Sequence, residues 1–163
     1  MPTTMTALAT VADPAGRARV DVLTGTGFTI IFDIFEEGAV RAGPSPTESI
    51  LAALAACTSM DVDSILRKKR QPASNYRIAV TGEKRDEHPQ VYTSIVVEHQ
   101  VTGDVEPEAV RRAVELSAPT YCPVSAMLSR SVRIEHRYRL SQEGGEEVSA
   151  LVVTTGPEGP QVV

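Results

Sequence analysis

The chain has 163 residues, of which 42% are hydrophobic, and it carries a formal net charge of −5 at pH 7. This size predicts one compact domain with a hydrophobic core and leaves no room for a second domain. Aromatic residues make up only 4% of the chain, and Lys and Arg are dispersed except at residues 67–70. These features argue against a nucleic-acid-binding protein, which needs a basic surface or a set of stacking aromatic rings.

Membrane insertion and secretion are not expected from the sequence. The apolar run at residues 50–60 is shorter than the ~20 residues that span a bilayer. The first five residues lack the basic and apolar regions of a signal peptide. We therefore expect a cytoplasmic protein that does not bind a membrane. In that compartment its two cysteines are more typical of redox, catalytic or simply buried residues than of a permanent disulfide.

The N-terminal part of the chain predicts a β-hairpin followed by a loop. Residues 1–16 are rich in small residues and predict a mobile leader. Residues 17–23 and 28–32 have strand patterns on either side of a glycine-containing turn, which predicts the hairpin. Glycine and proline in residues 36–46 predict the loop. Ser45 and Pro46 can supply the N-cap and the first position of a helix, with Glu48 in its first turn.

Residues 48–70 predict one long helix. They contain no Gly or Pro, are rich in Ala and Leu, and end in four cations, which match the negative end of a helix dipole. The first half is apolar on every side, a pattern typical of a helix surrounded by protein. We therefore predict that this helix lies at the centre of the core.

The remaining elements complete an α+β pattern, in which strands and helices are segregated. Residues 76–84 and 91–101 alternate as a second hairpin around a polar turn. Helices are predicted over residues 106–118 and 123–128, and a last strand over residues 132–140. We expect residues 17–140 to form the domain and residues 141–163 a flexible tail, in which residues 148–154 could pair as an edge strand.

The residues alone leave the role of the two cysteines open. Cys122 directly precedes Pro123 at a helix start, where unpaired backbone N–H groups and the helix dipole favour a thiolate. Cys57 lies in the core helix, where burial disfavours a thiolate, and Asp61 one turn later would add an opposing negative charge. Either cysteine can equally be a structural residue, Cys57 as a packed apolar side chain and Cys122 as a helix cap.

A metal site is not predicted. His88, His99 and His136 are spread over a turn and two strands, and none of them forms a close pair of the kind that zinc sites use. We therefore expect no bound metal.

Two segments around the cysteines resemble a known family. Residues 43–62, GPSPTESILAALAACTSMDV, and residues 121–125, YCPVS, are similar to the OsmC/Ohr family of thiol peroxidases, and the likeness extends over about residues 18–140. Residues 61–66 together with the basic cluster most resemble the YhfA-like branch of that family.

The resemblance implies a fold and a mechanism. The fold is α+β, with two antiparallel sheets wrapped around central helices in an intertwined homodimer whose active sites lie at the interface. Cys57 would attack an organic hydroperoxide, releasing an alcohol and forming a sulfenic acid, and Cys122 would resolve that acid as a disulfide. An external dithiol, of the lipoyl type, would reduce the disulfide, with no bound cofactor. Oxidative or osmotic stress defence is the implied role.

The match departs from the family at the residues that activate the nucleophile. Members use an N-terminal arginine and a glutamate, but the matched glutamate position holds Thr47, and Glu48 follows one residue later, turned by about 100° on a helix. Arg17, Arg19 and Arg41 are the candidate arginines, with Arg19 favoured. The alternative functions are a non-enzymatic dimer that binds a small apolar ligand or serves as a scaffold, and a redox sensor.

Overall fold

The computed structural model of the protein describes residues 3–12, 19–33, 40–142 and 144–163. The chain divides into two compact units, residues 1–50 and residues 51–163. The predicted domain of residues 17–140 therefore includes parts of both units. Three arginines were considered as the residue that activates Cys57. Arg19 and Arg41 are described, and Arg17 lies outside the described residues.

The first unit contains a three-stranded antiparallel sheet in the order β1-β2-β3. Its strands are β1, Ala7–Val11, β2, Val20–Thr24, and β3, Thr29–Phe32. The predicted hairpin is confirmed as β2 and β3. The expectation of a mobile leader is wrong for residues 7–11, because all five residues of β1 pair with β2. Small side chains gave this segment little apolar pattern, but its backbone groups find partners in the neighbouring strand.

Helix α1, Pro46–Lys68, confirms the predicted long helix. It begins with a reciprocal cap: the Glu48 N–H donates to Ser45 Oγ at 3.2 Å, and the Ser45 N–H donates to Glu48 Oε2 at 2.8 Å. This arrangement satisfies backbone donors that the first turn of a helix leaves unpaired.

Helix α1 is not surrounded by protein within one chain, contrary to the prediction. Its buried residues form one stripe with a spacing of four, namely Leu54, Thr58, Val62 and Leu66. The other side chains of the helix are at least partly exposed. By length and composition α1 is also apolar enough to cross a membrane, which corrects the expectation from the short run at residues 50–60. The core helix of a soluble protein can have the same length and composition as a membrane-spanning helix. In α1, the stripe residues Leu54, Val62 and Leu66 belong to the hydrophobic core.

The second unit contains a five-stranded sheet in the order β4-β5-β6-β7-β8. The strands are β4, Asn75–Lys84, β5, Tyr92–Thr102, β6, Arg133–Ser141, β7, Glu147–Thr155, and β8, Gln161–Val162. The predicted hairpin is confirmed as β4 and β5, and the strand predicted over residues 132–140 is confirmed as β6. Strands β5 and β6 are parallel, so the expectation of two wholly antiparallel sheets is wrong at this pair. Parallel neighbours need a long crossover, which the intervening helices supply.

The C-terminal segment is part of the sheet and not a flexible tail. Strand β7 lies between β6 and β8, and Val152 and Val153 are fully buried. The β-branched run at the end of β7 suits a pleated, buried strand. The predicted edge strand at residues 148–154 is therefore an internal strand.

The crossover between β5 and β6 carries the remaining helices. Helix α2, Pro107–Leu116, is followed by a π-helical turn, Ser117–Tyr121, and by α3, Pro123–Leu128. The sequence predicted α2 through residue 118 and the start of α3. The π-helical turn replaces the last α-helical residues, because the Cys122 N–H donates to the Ser117 carbonyl at 2.9 Å, five residues back.

The packing of α1 on this sheet can be tested by replacing Leu66. Its side chain is 1% exposed and shares a core cluster with Val101 and Val110. Replacing Leu66 with alanine should lower the free energy of unfolding by about 2–5 kcal/mol, because the cavity cannot close completely. Urea denaturation measures the change, and Val91→Ala, at a 49% exposed position, is the control. Equal losses for both variants would contradict the packing described here.

Candidate active site

The two cysteines lie close together with an acidic side chain. The Sγ atoms of Cys57 and Cys122 and a carboxylate oxygen of Asp61 lie within 4.8 Å of one another. Cys57 and Asp61 are one turn apart on α1, and Cys122 lies between the π-helical turn and α3. Both thiols are free; Cys57 is half-buried and Cys122 is buried. The two free thiols are therefore neighbours in space.

Cys122 is the N-cap of α3, as the sequence predicted, but this position does not make its thiol acidic. Its Sγ accepts a hydrogen bond from the Ser125 N–H at 3.3 Å. Burial, together with a hydrogen bond with Cys57, nevertheless raises the pKa of Cys122 to about 11. Desolvation outweighs one backbone donor, so the prediction that the helix start favours a Cys122 thiolate is wrong.

Two hydroxyl groups link this pair to Asp61. Ser117 Oγ donates to Asp61 Oδ2 at 3.2 Å, and Thr58 Oγ1 lies 3.3 Å from Ser117 Oγ. Thr58 and Ser117 are buried. A hydrogen bond from Thr58 also favours the Cys122 thiolate and lowers its pKa, against the larger effect of burial. The buried polar residues therefore form one continuous group with the cysteines.

A groove opens beside Asp61. It has a volume of about 440 Å³ and is lined by Asp61, Ser64, Ile65, Lys68, Lys69, Leu116 and Tyr121. Its walls combine apolar side chains with two cations at the rim. Asp61 therefore lies next to the two thiols and also lines this groove.

Three of the candidate activating residues, Arg19, Arg41 and Glu48, are described in the first unit. Arg41 Nη1 lies 3.4 Å from Glu48 Oε2, whereas the favoured Arg19 pairs with Asp21 at 3.1 Å. Hydrogen bonds from the Ser45 backbone and side chain, together with the nearby Arg41, lower the pKa of Glu48. Arg41 and Glu48 thus form an ion pair, and the activating roles expected for Arg19 and Glu48 stay predictions. Whether that pair acts on Cys57 remains a prediction.

The comparison with known families identifies this chain. Residues 37–137 match the family described as OsmC-like protein. The chain belongs to the OsmC-like protein family. Protein YhfA of Escherichia coli strain K12 is 44% identical over 98 residues, which cover 60% of this chain and 73% of YhfA. The predicted assignment to the YhfA-like branch is therefore confirmed.

Solved structures support the same OsmC-like fold. A hypothetical protein from Aquifex aeolicus VF5 has a TM-score of 0.75 and 27% identity, covering 87% of this chain and 99% of its own. An organic hydroperoxide resistance protein from Elizabethkingia anophelis has a TM-score of 0.65 and 14% identity, covering 88% of this chain and 99% of its own. At that identity the second likeness shows the fold alone. The predicted α+β, OsmC-like fold class is confirmed, and the family supports a redox-related role.

The OsmC-like site also contains a set of metal-ligand atoms. Cys57, Asp61 and Cys122 each offer one ligand atom to a common point, and thiolates with a carboxylate suit a soft divalent cation such as Zn²⁺. None of the three histidines belongs to this set of atoms. The expectation that no metal is bound remains a prediction.

Two features of the core were not predicted from the sequence. Thr58 and Ser117 were not predicted as part of the site, and no local motif marks them, because their contact joins α1 to a turn far along the chain. The second feature is a stack of Tyr76, His99 and His136 across β4, β5 and β6. A signal for it existed: both histidines stand in phase with the buried apolar positions of their strands.

Proposed function

We propose that this OsmC-like protein is a thiol-dependent peroxidase that reduces organic hydroperoxides to alcohols in oxidative or osmotic stress defence. The observation that carries the proposal is the pair of free thiols held with Asp61 within 4.8 Å. Family membership and relatives named as organic hydroperoxide resistance proteins support it.

The oxidation of the protein needs only the two thiols and the hydroperoxide, and an external dithiol then completes the cycle. Cys57, as the thiolate, attacks the terminal oxygen of the hydroperoxide, the O–O bond breaks, and the leaving alkoxide takes a proton to become the alcohol. Cys57 is then a sulfenic acid. The sulfur of Cys122 attacks the sulfur of Cys57, a disulfide forms, and the sulfenic oxygen leaves as water. An external dithiol of the lipoyl type restores both thiols, with no bound cofactor.

The roles of the two cysteines follow from their surroundings. Cys57 is half-buried and packs at the edge of an apolar cluster, where an apolar hydroperoxide can approach it. Cys122 is 1% exposed, and its hydrogen bond with Cys57 helps to hold its proton. A buried thiol that keeps its proton suits the resolving step, which follows oxidation of its neighbour.

A homodimer is part of the proposal. Large apolar side chains beside the thiols are exposed in the single chain, namely Met60 at 73%, Tyr121 at 56% and Met127 at 64%. These exposed side chains support the proposal of an interaction surface near the thiols. A second copy of the chain would bury this surface and supply the surroundings that the sequence predicts for α1. The proposed location is the cytoplasm, where an external dithiol is at hand.

The first test measures thiols and mass together. After stoichiometric cumene hydroperoxide, the intact protein should lose two hydrogens and both free thiols, and excess dihydrolipoamide should restore them over many cycles. A disulfide that forms but does not support repeated turnover would favour the redox sensor. Unchanged thiols would reject the peroxidase and favour the non-enzymatic dimer that binds a small apolar ligand.

A further inference from the structure

Three side chains of the second unit bring their ligand atoms to one point between α1 and the start of α3. The sulfur atoms of Cys57 and Cys122 and a carboxylate oxygen of Asp61 lie within 4.8 Å of one another. Three atoms so placed share a point no more than about 2.8 Å from each of them, whereas zinc lies about 2.3 Å from sulfur and about 2.1 Å from oxygen. Each atom therefore needs to move inward by less than about 1 Å to hold a zinc ion.

The kinds of donor favour zinc over a hard cation. Thiolate sulfur selects soft or borderline metals such as zinc, whereas magnesium and calcium prefer sites made of oxygen atoms alone. The carboxylate of Asp61 beside Cys57 and Cys122 opposes formation of a free thiolate, because two negative charges repel each other. With a divalent cation between them the same charges become attractive. Asp61 therefore suits a metal site formed together with the two thiols.

Hydrogen bonds from outside the site hold two of the three ligands. The Ser117 hydroxyl donates to Asp61 Oδ2 at 3.2 Å, and the Ser125 N–H donates to Cys122 Sγ at 3.3 Å. Metal ligands in proteins are oriented by partners of this kind, which leave the remaining lone pairs free for the metal. The two donors therefore act as the outer support of a metal site.

The site can be reached from solvent. Asp61 lines the groove of about 440 Å³, and Cys57 is only half-buried. A zinc ion can enter beside Asp61, and a water molecule from the groove can take the fourth position of a tetrahedral site. The structure thus provides three ligands, their outer support and an entry path.

We propose that Cys57, Asp61 and Cys122 form a binding site for one zinc ion, which holds the reduced thiols and leaves when they are oxidised. On binding, each thiol releases its proton to solvent and its sulfur becomes a ligand. Zinc changes no oxidation state, so it transfers no electrons. The zinc-free protein is the form that reacts with hydroperoxide, and the expectation of no bound metal applies to that form. Zinc is then an inhibitor of the proposed peroxidase and not its cofactor.

Zinc binding does not depend on the proposed function, but its release by hydroperoxide rests on that function. The Cys57 sulfur attacks the terminal oxygen, the O–O bond breaks, and the alkoxide takes a proton from solvent to become the alcohol. The Cys122 sulfur then displaces hydroxide from Cys57, and hydroxide takes a second proton to become water. The two sulfurs lose two electrons, which the O–O bond accepts. The resulting disulfide has no thiolate to bind zinc.

The first measurement is zinc binding by the full-length, reduced protein without a polyhistidine tag, in competition with a chromogenic zinc chelator. The wild-type protein should bind one Zn²⁺ per chain with a dissociation constant below about 1 μM. Bound zinc should slow the reaction of both thiols with an alkylating reagent at least about tenfold, because the sulfur lone pairs that attack the reagent bind the metal. Cumene hydroperoxide should consume the zinc-bound thiols more slowly for the same reason.

The disulfide form supplies a second arm that needs no hydroperoxide. Diamide takes two hydrogen atoms from the thiols and leaves the Cys57–Cys122 disulfide. That form should bind no zinc, and reduction should restore binding. Zinc binding that is as tight in the disulfide form as in the reduced form would overturn the proposal.

Asp61→Asn tests the carboxylate ligand, and Asp63→Asn is its matched control. Both variants remove one negative charge from α1, but the Asp63 carboxylate pairs with Arg67 at 2.7 Å and is not among the three ligand groups. Asp61→Asn should weaken zinc binding at least about tenfold, whereas Asp63→Asn should leave it unchanged. Cys57→Ser should weaken it at least about a hundredfold, because a serine hydroxyl is a poor zinc ligand.

The outcomes separate the zinc site from the peroxidase. Equal losses in Asp61→Asn and Asp63→Asn, or full binding in Cys57→Ser, would overturn the site, because the zinc would then be held elsewhere. A wild-type protein that reacts with cumene hydroperoxide but binds no zinc overturns the site and leaves the peroxidase proposal intact. A protein that binds zinc as expected but does not react with hydroperoxide supports the site and rejects the peroxidase.

Discussion

Replacing Cys57 with serine is expected to abolish peroxide turnover, by on the order of a thousandfold or more, because a serine hydroxyl does not ionise at neutral pH to attack the O–O bond. Replacing Cys122 with serine should have a different effect. That variant keeps the nucleophile but lacks the resolving thiol, so it should form one sulfenic acid per chain and then stop. Peroxide consumption and dimedone labelling, measured on the same samples, distinguish the two variants.

The control for this pair is Ser131→Ala, a position whose hydroxyl bonds to the Leu128 carbonyl at the surface. Its turnover should equal that of the wild-type protein. If Cys122→Ser lost all reaction with peroxide while Cys57→Ser still formed a sulfenic acid, the roles of the cysteines would be reversed. That result would leave the helix-start cysteine as the nucleophile, in spite of its burial.

The second large effect is a loss of stability in acid. His99 and His136 are fully buried, and desolvation lowers the pKa of His99 to about 3 and that of His136 to about 4. A histidine exposed to water has a pKa of 6.5, so the unfolded chain binds protons below that pH while the folded chain does not. Stability is therefore fully present above pH 6.5 and falls until the folded pKa values are reached. At about pH 5 the two groups together should cost about 4 kcal/mol.

His136→Leu isolates one half of that effect. Within the described residues neither ring nitrogen of His136 has a hydrogen-bond partner, so leucine removes a titrating group without leaving a broken contact. The variant should lose about half of the dependence on pH, measured by urea denaturation at one protein concentration from neutral to about pH 5.

His88→Gln is the control for the acid measurement. His88 lies in the exposed turn between β4 and β5, so its replacement should not change the slope. Tyr76 should be left intact in all variants, because its hydroxyl bonds to His99 Nδ1 at 2.7 Å. An unchanged acid slope in His136→Leu would mean that His136 is not held neutral by burial.

Local sequence signals predicted most of the elements correctly. The β2–β3 and β4–β5 hairpins, helix α1 with its Ser45 cap, and the start of α3 at Pro123 depend on turn residues, caps and periodicity, which act over a few positions. The approach placed β1 in a mobile leader and predicted β7 only as a possible edge strand of a flexible tail. Both are held by pairing with a neighbouring strand, and β7 is completed by burial of Val152 and Val153.

The sequence by itself determined the two cysteine motifs, the long apolar helix between the strands, and through them the family. It also predicted which residue caps α3. These are properties of neighbouring residues, and composition and spacing are enough to read them.

Only the tertiary structure decided the electrostatics of the site. The helix-start argument favoured a Cys122 thiolate, but burial raises its pKa, and burial depends on which elements cover the side chain. The contacts among Thr58, Ser117 and Asp61 join α1 to a π-helical turn that is distant along the chain. Desolvation and hydrogen bonds across elements depend on three-dimensional packing, so a pattern along the chain could locate the thiols but not show that burial raises the pKa of Cys122.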